Sequence, residues 1–314
     1  MGIEPEGGFI LSPPSEWLLR SSLTTFALSL ASVYVISGRL SCRSRVKPSS
    51  TKPRPASHFP LLVLSVCVVK YFLLLCLPCF ASAAAFTAFR DGEIFTYRVA
   101  FAIFGHAGDI IIEAHDQKSG GVELLSVTTD TKSRGIVRGL YAFDNKAEVV
   151  IEKATGRMLH VKESGADPKR TTDTEISFDY KTRTANYTDN ARPERTAEIP
   201  IPEGDPVDLI SALVQTRDWN LKPGEKRDLL VQFGRDFYPL TIKAERYEDV
   251  RTPFGTFKTL LLVPRMEKDP KGLFKKGGQV KVWISQDASS LPVKMQLKLN
   301  FGSATLLLSN YKKR

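Results

Sequence analysis

From residue 86 onward the sequence predicts an all-β fold: an antiparallel meander forming a curved sheet, a flattened barrel or a sandwich, with one short helix over about 205–217 packed on it. Three observations carry this. Apolar and polar residues alternate over short runs, the period of a half-buried strand. Polar turns rich in Gly, Asp and Asn separate the runs at the spacing of a meander. A single stretch, Asp205 to Trp219, leaves the two-residue period for the helical one.

The elements follow in order. Glu93 to Phe104 alternates, with Phe95, Tyr97, Val99 and Phe101 on one face. Gly105 and Gly108 mark a turn before Ile110 to Ile112, and Gly120-Gly121 marks the next, before Val122 to Thr129. Ile136 to Phe143, Ala147 to Glu152 and Arg157 to Lys162 read as further strands. Ser164 to Thr174 is polar and reads as a loop; Glu175 to Tyr180 and Thr184 to Tyr187 read as a weaker hairpin. Six more strands follow the helix, from Arg227 to Tyr311, with a basic loop at Lys268, Lys271, Lys275 and Lys276. Leu260 to Val263 and Leu306 to Leu308 are apolar on both faces, as central strands are.

In the helical stretch, Asp205 is expected to cap the first free amides, with Pro206 at the first helical position and Asp208 in the first turn, where the dipole favours negative charge. Val207, Ile210, Leu213 and Val214 form the apolar stripe. Arg217, just past it, is expected to pair with a carboxylate or with the last carbonyls.

Residues 1–85 are of a different kind. Residues 1–60 read as a poorly ordered extension with a marginal apolar segment at 23–36 and a Pro/Ser/Lys-rich linker, or as sequence ahead of a true start further down. Residues 61–85 read as a signal peptide: Lys52 and Arg54, the apolar run Leu61 to Leu77, Pro78, then small residues to Ala85. Cleavage is expected near 84–86. The competing reading is an uncleaved anchor, with membrane contact through 61–77. Residues 86–314 then form a single exported β-rich domain. Eight basic residues against three acidic ones lie before residue 86, half the formal net charge of +10, so the body gives little support to a nucleic-acid binder. All four cysteines also precede residue 86, which excludes disulfides and thiolate metal sites from the body.

No catalytic motif stands out. The body has no cysteine and no Gly-x-Ser-x-Gly, and Ser211 sits mid-helix. His106, Asp109, His115 and Asp116 match no metal-ligand spacing and read as solvated turn residues. Capping explains Asp205 and Asp208 better than a glycosidase pair does. No cofactor and no metal are expected. A ligand cavity, if present, is expected to involve Ile210, Leu213, Val214, Arg217, Trp219 and Trp283, the helix stripe forming its lid; the same aromatics can equally fill a core.

Gly92-Glu93 with Tyr97, Pro206 to Leu213 ending in Arg217, Phe254 to Phe257, Trp283 to Asp287 and Leu291 to Val293 occur in this order. Together they resemble the bacterial envelope family called domain of unknown function 3108. The resemblance implies an exported β-rich domain with no established activity. The resulting expectation is a non-enzymatic binding domain in the periplasm or cell envelope, with a lipid, lipoprotein or envelope polymer as partner. The alternatives are an envelope glycan hydrolase and a structural interaction protein with a filled core.

Overall fold

The computed structural model describes residues 88–313, except 102, 269, 271–273, 275–277 and 300–301. The N-terminal extension, the segments 23–36 and 61–85, the expected cleavage region and Lys271, Lys275 and Lys276 lie outside the described residues. Among the described residues no helix is long and apolar enough to cross a membrane.

The body is all-β: one open, curved sheet of fifteen strands, which excludes the sandwich. The strands are β1 (Glu93–Phe101), β2 (Phe104–Ser119), β3 (Val122–Ser133), β4 (Asp144–Glu152), β5 (Met158–Asp167), β6 (Arg170–Asp179), β7 (Thr184–Asp189) and β8 (Ala197–Pro200). Then come β9 (Pro206–Val207), β10 (Lys226–Phe233), β11 (Asp236–Thr252), β12 (Gly255–Arg265), β13 (Gln279–Ser285), β14 (Pro292–Leu299) and β15 (Gly302–Lys313). In space the order is β8-β7-β6-β5-β4-β3-β2-β1-β15-β14-β13-β12-β11-β10-β9. The first and last strands thus pair in the middle, and the two edges are consecutive in sequence.

Antiparallel register puts directly opposed residues on one face. On the inner face of the C-terminal half, Leu262, Val282, Met295, Leu306 and Val99 form one row and Val280, Leu297, Ala304 and Phe101 another. Each of these nine is buried. The N-terminal half has two apolar rows, Leu125, Ile151 and Met158, and Val127, Val149, Val161, Ile176 and Tyr187. Its next rows are polar: Thr129, Ala147, Glu163, Thr174, Asp189, and then Thr131, Asn145, Gly165, Thr172.

Three expectations need correction. Ile136 to Phe143 is not a strand. Gly135 takes φ +54 and opens a single helical turn, α1 (Gly135–Leu140), which buries only Val137 and links β3 to β4. Ser164 to Thr174 is no loop but the tip of the β5–β6 hairpin, turned where the Asp167 carboxylate accepts the Lys169 amide at 2.8 Å. The helix begins later than predicted, as α2 (Leu209–Gln215), followed by a 3-10 turn at Thr216–Asp218. Asp208, not Asp205, caps it, accepting the Ile210 and Ser211 amides at 2.8 and 3.1 Å. Pro206 and Val207 pair in parallel with Leu230 and Val231 instead; at a sheet edge proline's missing N–H is tolerated.

The helix stripe is core. Ile210, Leu213 and Val214 are 6%, 5% and 0% exposed and join one cluster with residues from both halves of the sheet. Burying each contributes about 1.5–3 kcal/mol, so this short helix is held by packing.

Candidate functional site

Arg217 leaves the 3-10 turn and enters the interior beside β1. Its guanidinium meets the Glu93 carboxylate through two bonds, at 2.9 and 3.0 Å, and also donates to the Ala88 and Ser289 carbonyls. Tyr311 donates to Glu93 at 2.5 Å and the Arg90 amide at 2.9 Å. The Phe95 ring lies 5.6 Å from the guanidinium carbon. Burial alone would raise the Glu93 carboxyl, but the hydrogen bonds from Arg217 and Tyr311 outweigh it and hold the group below its ordinary value. Every strong polar group here is matched within the protein. The cluster locks the end of α2 to both central strands, β1 and β15, and offers a ligand little.

A cleft opens at the other end of the helix. The apolar row Val149, Val161, Ile176 and Tyr187 and the neighbouring Thr129, Glu163, Thr172 and Thr174 of β3 to β7 form one wall; Asp208, Leu209 and Ile210 of the α2 start and Gln232, Phe233 and Gly234 of the β10–β11 turn form the other. The cleft therefore lies where the two edges of the sheet approach each other. Arg235 crosses this seam, donating to the Arg195 carbonyl at 3.0 Å and lying 5.9 Å from the Tyr187 ring centroid. Farther along the seam, Arg157 and Arg183 hold Asp205 at 2.9 and 3.6 Å. The cleft volume is about 70 Å³, about half of the ~150 Å³ cavity that takes benzene.

The chemistry of this cleft is mixed: the apolar row Val149, Val161, Ile176 and Tyr187 lies beside a few polar groups. Asp208 caps α2 through Oδ1, while Oδ2 is buried without a hydrogen-bond partner. Burial raises its carboxyl above the ordinary value, against the lowering effect of the Ser211 hydroxyl and of the Ser211 and Ile210 amides. Glu163 accepts from the Asn145 side chain at 2.8 Å. Arg192 pairs with the fully buried Asp189 at 3.1 Å. Both walls are mixed: Glu163, Thr172 and Thr174 stand beside apolar side chains on one, and Asp208 and Gln232 beside Leu209, Ile210 and Phe233 on the other.

The residues expected to line a cavity are dispersed. Ile210 lines this cleft; Leu213 and Val214 are in the main core. Arg217 is in the Glu93 cluster. Trp219 is half-buried under Arg227, whose guanidinium lies 4.8 Å from the ring centroid. Trp283 opposes Lys294, on the face away from Val282, with the Lys294 ammonium 4.3 Å above its ring and its indole N–H donating to Glu248. His106 and His115 lie in β2 rather than in a turn. His106 bonds Asp109 at 2.7 Å, and Asp109 also accepts from Arg134. Among the described residues, no group of three His, Cys, Asp or Glu could hold a metal ion.

Sequence reasoning missed Glu93 as the partner of Arg217, and it missed the whole cleft wall. One signal for the wall was present: Glu163, Gly165, Thr172 and Thr174 stand at alternate positions where a core-facing strand would carry apolar side chains.

Residues 96–309 match the model of the family described as "Protein of unknown function (DUF3108)", and the chain belongs to that family. No curated protein matches it. Among solved structures it is similar to a β-barrel-like protein of a domain of unknown function, DUF1849, from Brucella abortus, at 7% identity and TM-score 0.47, covering 71% of this chain and 97% of that one. It is also similar to a protein described as exported, with a YmcC-like fold, from Bacteroides fragilis, at 13% identity and TM-score 0.33, covering 73% and 99%.

Proposed function

We propose that this member of the DUF3108 family is an exported, non-enzymatic domain of the cell envelope that recognises an envelope-derived ligand or partner in the seam cleft. The observation that carries this reading is the cleft itself, a concavity where Glu163, Thr174, Arg192 and Asp208 meet apolar side chains at the seam. Export is supported by the order of basic flank, apolar run, Pro78 and small residues ahead of a cysteine-free body. It leaves the domain in the periplasm, free or tethered through 61–77. The small cleft volume favours a polymer or protein that inserts one group over an engulfed lipid. The prominent carboxylates have structural duties: Glu93 is paired with Arg217 and Asp208 caps α2.

The test is isolation from a periplasmic fraction, N-terminal sequencing and native mass spectrometry. A start near residue 84–86, or a membrane-bound full chain, with a co-purifying envelope component is expected. A soluble cytoplasmic chain with residues 1–85 intact would sink the proposal.

A second reading, an envelope glycan hydrolase, is favoured by one observation: Glu163 and Asp208 share the cleft, and a carboxyl raised by burial is what a general acid requires. Release of reducing ends from envelope glycan, abolished by Asp208→Asn, would establish it in place of the binding reading.

A further inference from the structure

The outer face of the sheet is divided by charge. Over β2 to β6 it mixes acids and bases that pair with one another: Lys132 meets Asp130 at 3.0 Å and Lys162 meets Glu175 at 2.7 Å. Strands β12 to β15 contain no Asp or Glu. Lys281, Lys294 and Lys298 alternate with the buried Val280, Val282, Met295 and Leu297, so they lie on the outer face. Lys243 of β11, opposite Val263, and Arg98 of β1, opposite Leu307, extend the array to either side. Among the described residues none of these five cations makes an ion pair. The acids at the margins are engaged elsewhere: Glu245 with Arg265, Glu248 with Arg246 and the Trp283 indole, Asp109 with Arg134. A face charged only for solubility carries both signs, as the β2–β6 face does.

Spacing narrows the partner. Neighbouring strands lie about 4.8 Å apart and successive outward residues about 7 Å, so adjacent cations stand roughly 8–10 Å from one another. They do not converge on one point, as recognition of a single phosphate requires. Separate anions spread over a surface can engage all five. The array crosses six strands and three cross-strand rows, which makes it a surface rather than a groove. Its floor is apolar: Leu261, Val263 and Trp283 are buried, and the Lys294 ammonium lies 4.3 Å from the Trp283 ring centroid. Lysine stems over an apolar floor, with their heads outward, suit the boundary between lipid headgroups and water. A nucleic acid gains less, because the covered Trp283 offers no free ring for base stacking.

We propose that the outer face of β11 to β15 and β1 docks the domain on an anionic phospholipid surface, with the mixed-charge face of β2 to β6 turned away. This surface lies outside the cleft, and the proposal stands or falls independently of the cleft reading.

The test is co-sedimentation of the purified full chain with vesicles of phosphatidylglycerol and phosphatidylcholine, against vesicles of phosphatidylcholine alone. Preference for the anionic vesicles, weakened by added salt, is expected. Two triple variants remove the same charge: Lys281→Gln/Lys294→Gln/Lys298→Gln on the cationic face and Lys132→Gln/Lys146→Gln/Lys162→Gln on the mixed one. The first should weaken anionic-vesicle binding about tenfold or more and the second by less than about twofold, since only cations near the surface contribute. Residues 61–77 are the same in both, so any contact they make cancels from the comparison. Thermal melting checks folding; if the first variant melts early, Lys281→Gln/Lys298→Gln, which spares the Trp283 ring, replaces it with the same order of effects expected. Free glycerol 3-phosphate should not compete. Equal binding to the two vesicle types, equal loss in the two variants, competition by glycerol 3-phosphate, or tighter binding to duplex DNA than to anionic vesicles would each overturn the proposal.

Discussion

The two halves of the sheet have the same geometry and opposite interiors. From β12 to β15 the inner-face rows are apolar throughout, and the outer face is apolar too where Leu261 and Val263 lie, 0% and 5% exposed. From β3 to β7 the inner face is apolar for two rows and then turns to Thr, Asn, Gly and Glu. Two regions built by one hairpin logic therefore do different work: the C-terminal half supplies packing, and the N-terminal half withholds part of its packing to keep a polar wall. The helix α2 touches both. Its stripe belongs to the shared core, and its cap belongs to the cleft.

Mutations can break or sharpen this contrast. The largest effect is expected where the halves join. Arg217→Leu leaves the buried Glu93 charge unpaired and should cost about 3–5 kcal/mol in denaturant unfolding; a loss below 1 kcal/mol, about the ceiling for an exposed pair, would mean that the cluster is solvated. Leu262→Ala in the apolar half should cost about 2–5 kcal/mol by the same measurement. In the polar half, Gly165→Ala should cost about 1–3 kcal/mol as overpacking, because an added Cβ would sit 2.6 Å from the Asp144 carbonyl oxygen and 2.9 Å from the Asn145 Cα.

Asp208→Ala removes the helix cap and should cost about 1 kcal/mol, whereas Asp208→Asn should cost less. These two carboxyls also have opposite pH signatures. Glu93 is lowered on folding, so its contribution is present above its unfolded pKa and is lost as pH falls through the folded one. Asp208 is raised, so its contribution is fully present below its unfolded pKa and is lost as pH rises through the folded one. The stability of Asp208→Asn relative to the native chain should therefore rise as pH climbs above the ordinary aspartate value of ~3.9. A flat difference across that window would show that Asp208 does not titrate as described. The smallest expected effect has the opposite sign: Thr131→Val deletes an unpartnered buried hydroxyl and should leave the melting temperature unchanged or raise it. A clear loss would show that this wall is structural after all.

Much of the fold was legible because the sheet is antiparallel and alternation marks its strands. The C-terminal strands lie close to the expected bounds for that reason. Alternation failed at β5 and β6, where both faces are polar and the period vanishes, so a long hairpin looked like a loop. The helix stripe was legible, since Ile210, Leu213 and Val214 lie at helical spacing; the cap was not, because Asp205 and Asp208 are equally good capping residues and only the pairing of Pro206 and Val207 with β10 decides between them. Arg217 needed a carboxylate, and the sequence could say so. It could not choose Glu93, 124 residues away. Trp283 shows the limit most sharply: a shift of one position decides inner or outer face, and a run apolar on both faces carries no such information.

The strand order has a consequence for how the chain is made. It is a circle cut at the seam: open the backbone between Ile201 and Asp205, join the β15 end to the β1 start, and every hydrogen-bonded neighbour becomes consecutive in sequence. A circular permutant of that design should fold faster than the native chain, because contacts of short sequence separation form sooner. The native connectivity does the reverse. Glu93 must find Lys313 before the centre of the sheet exists, so β1 waits with one side unpaired until the final strand has been synthesised.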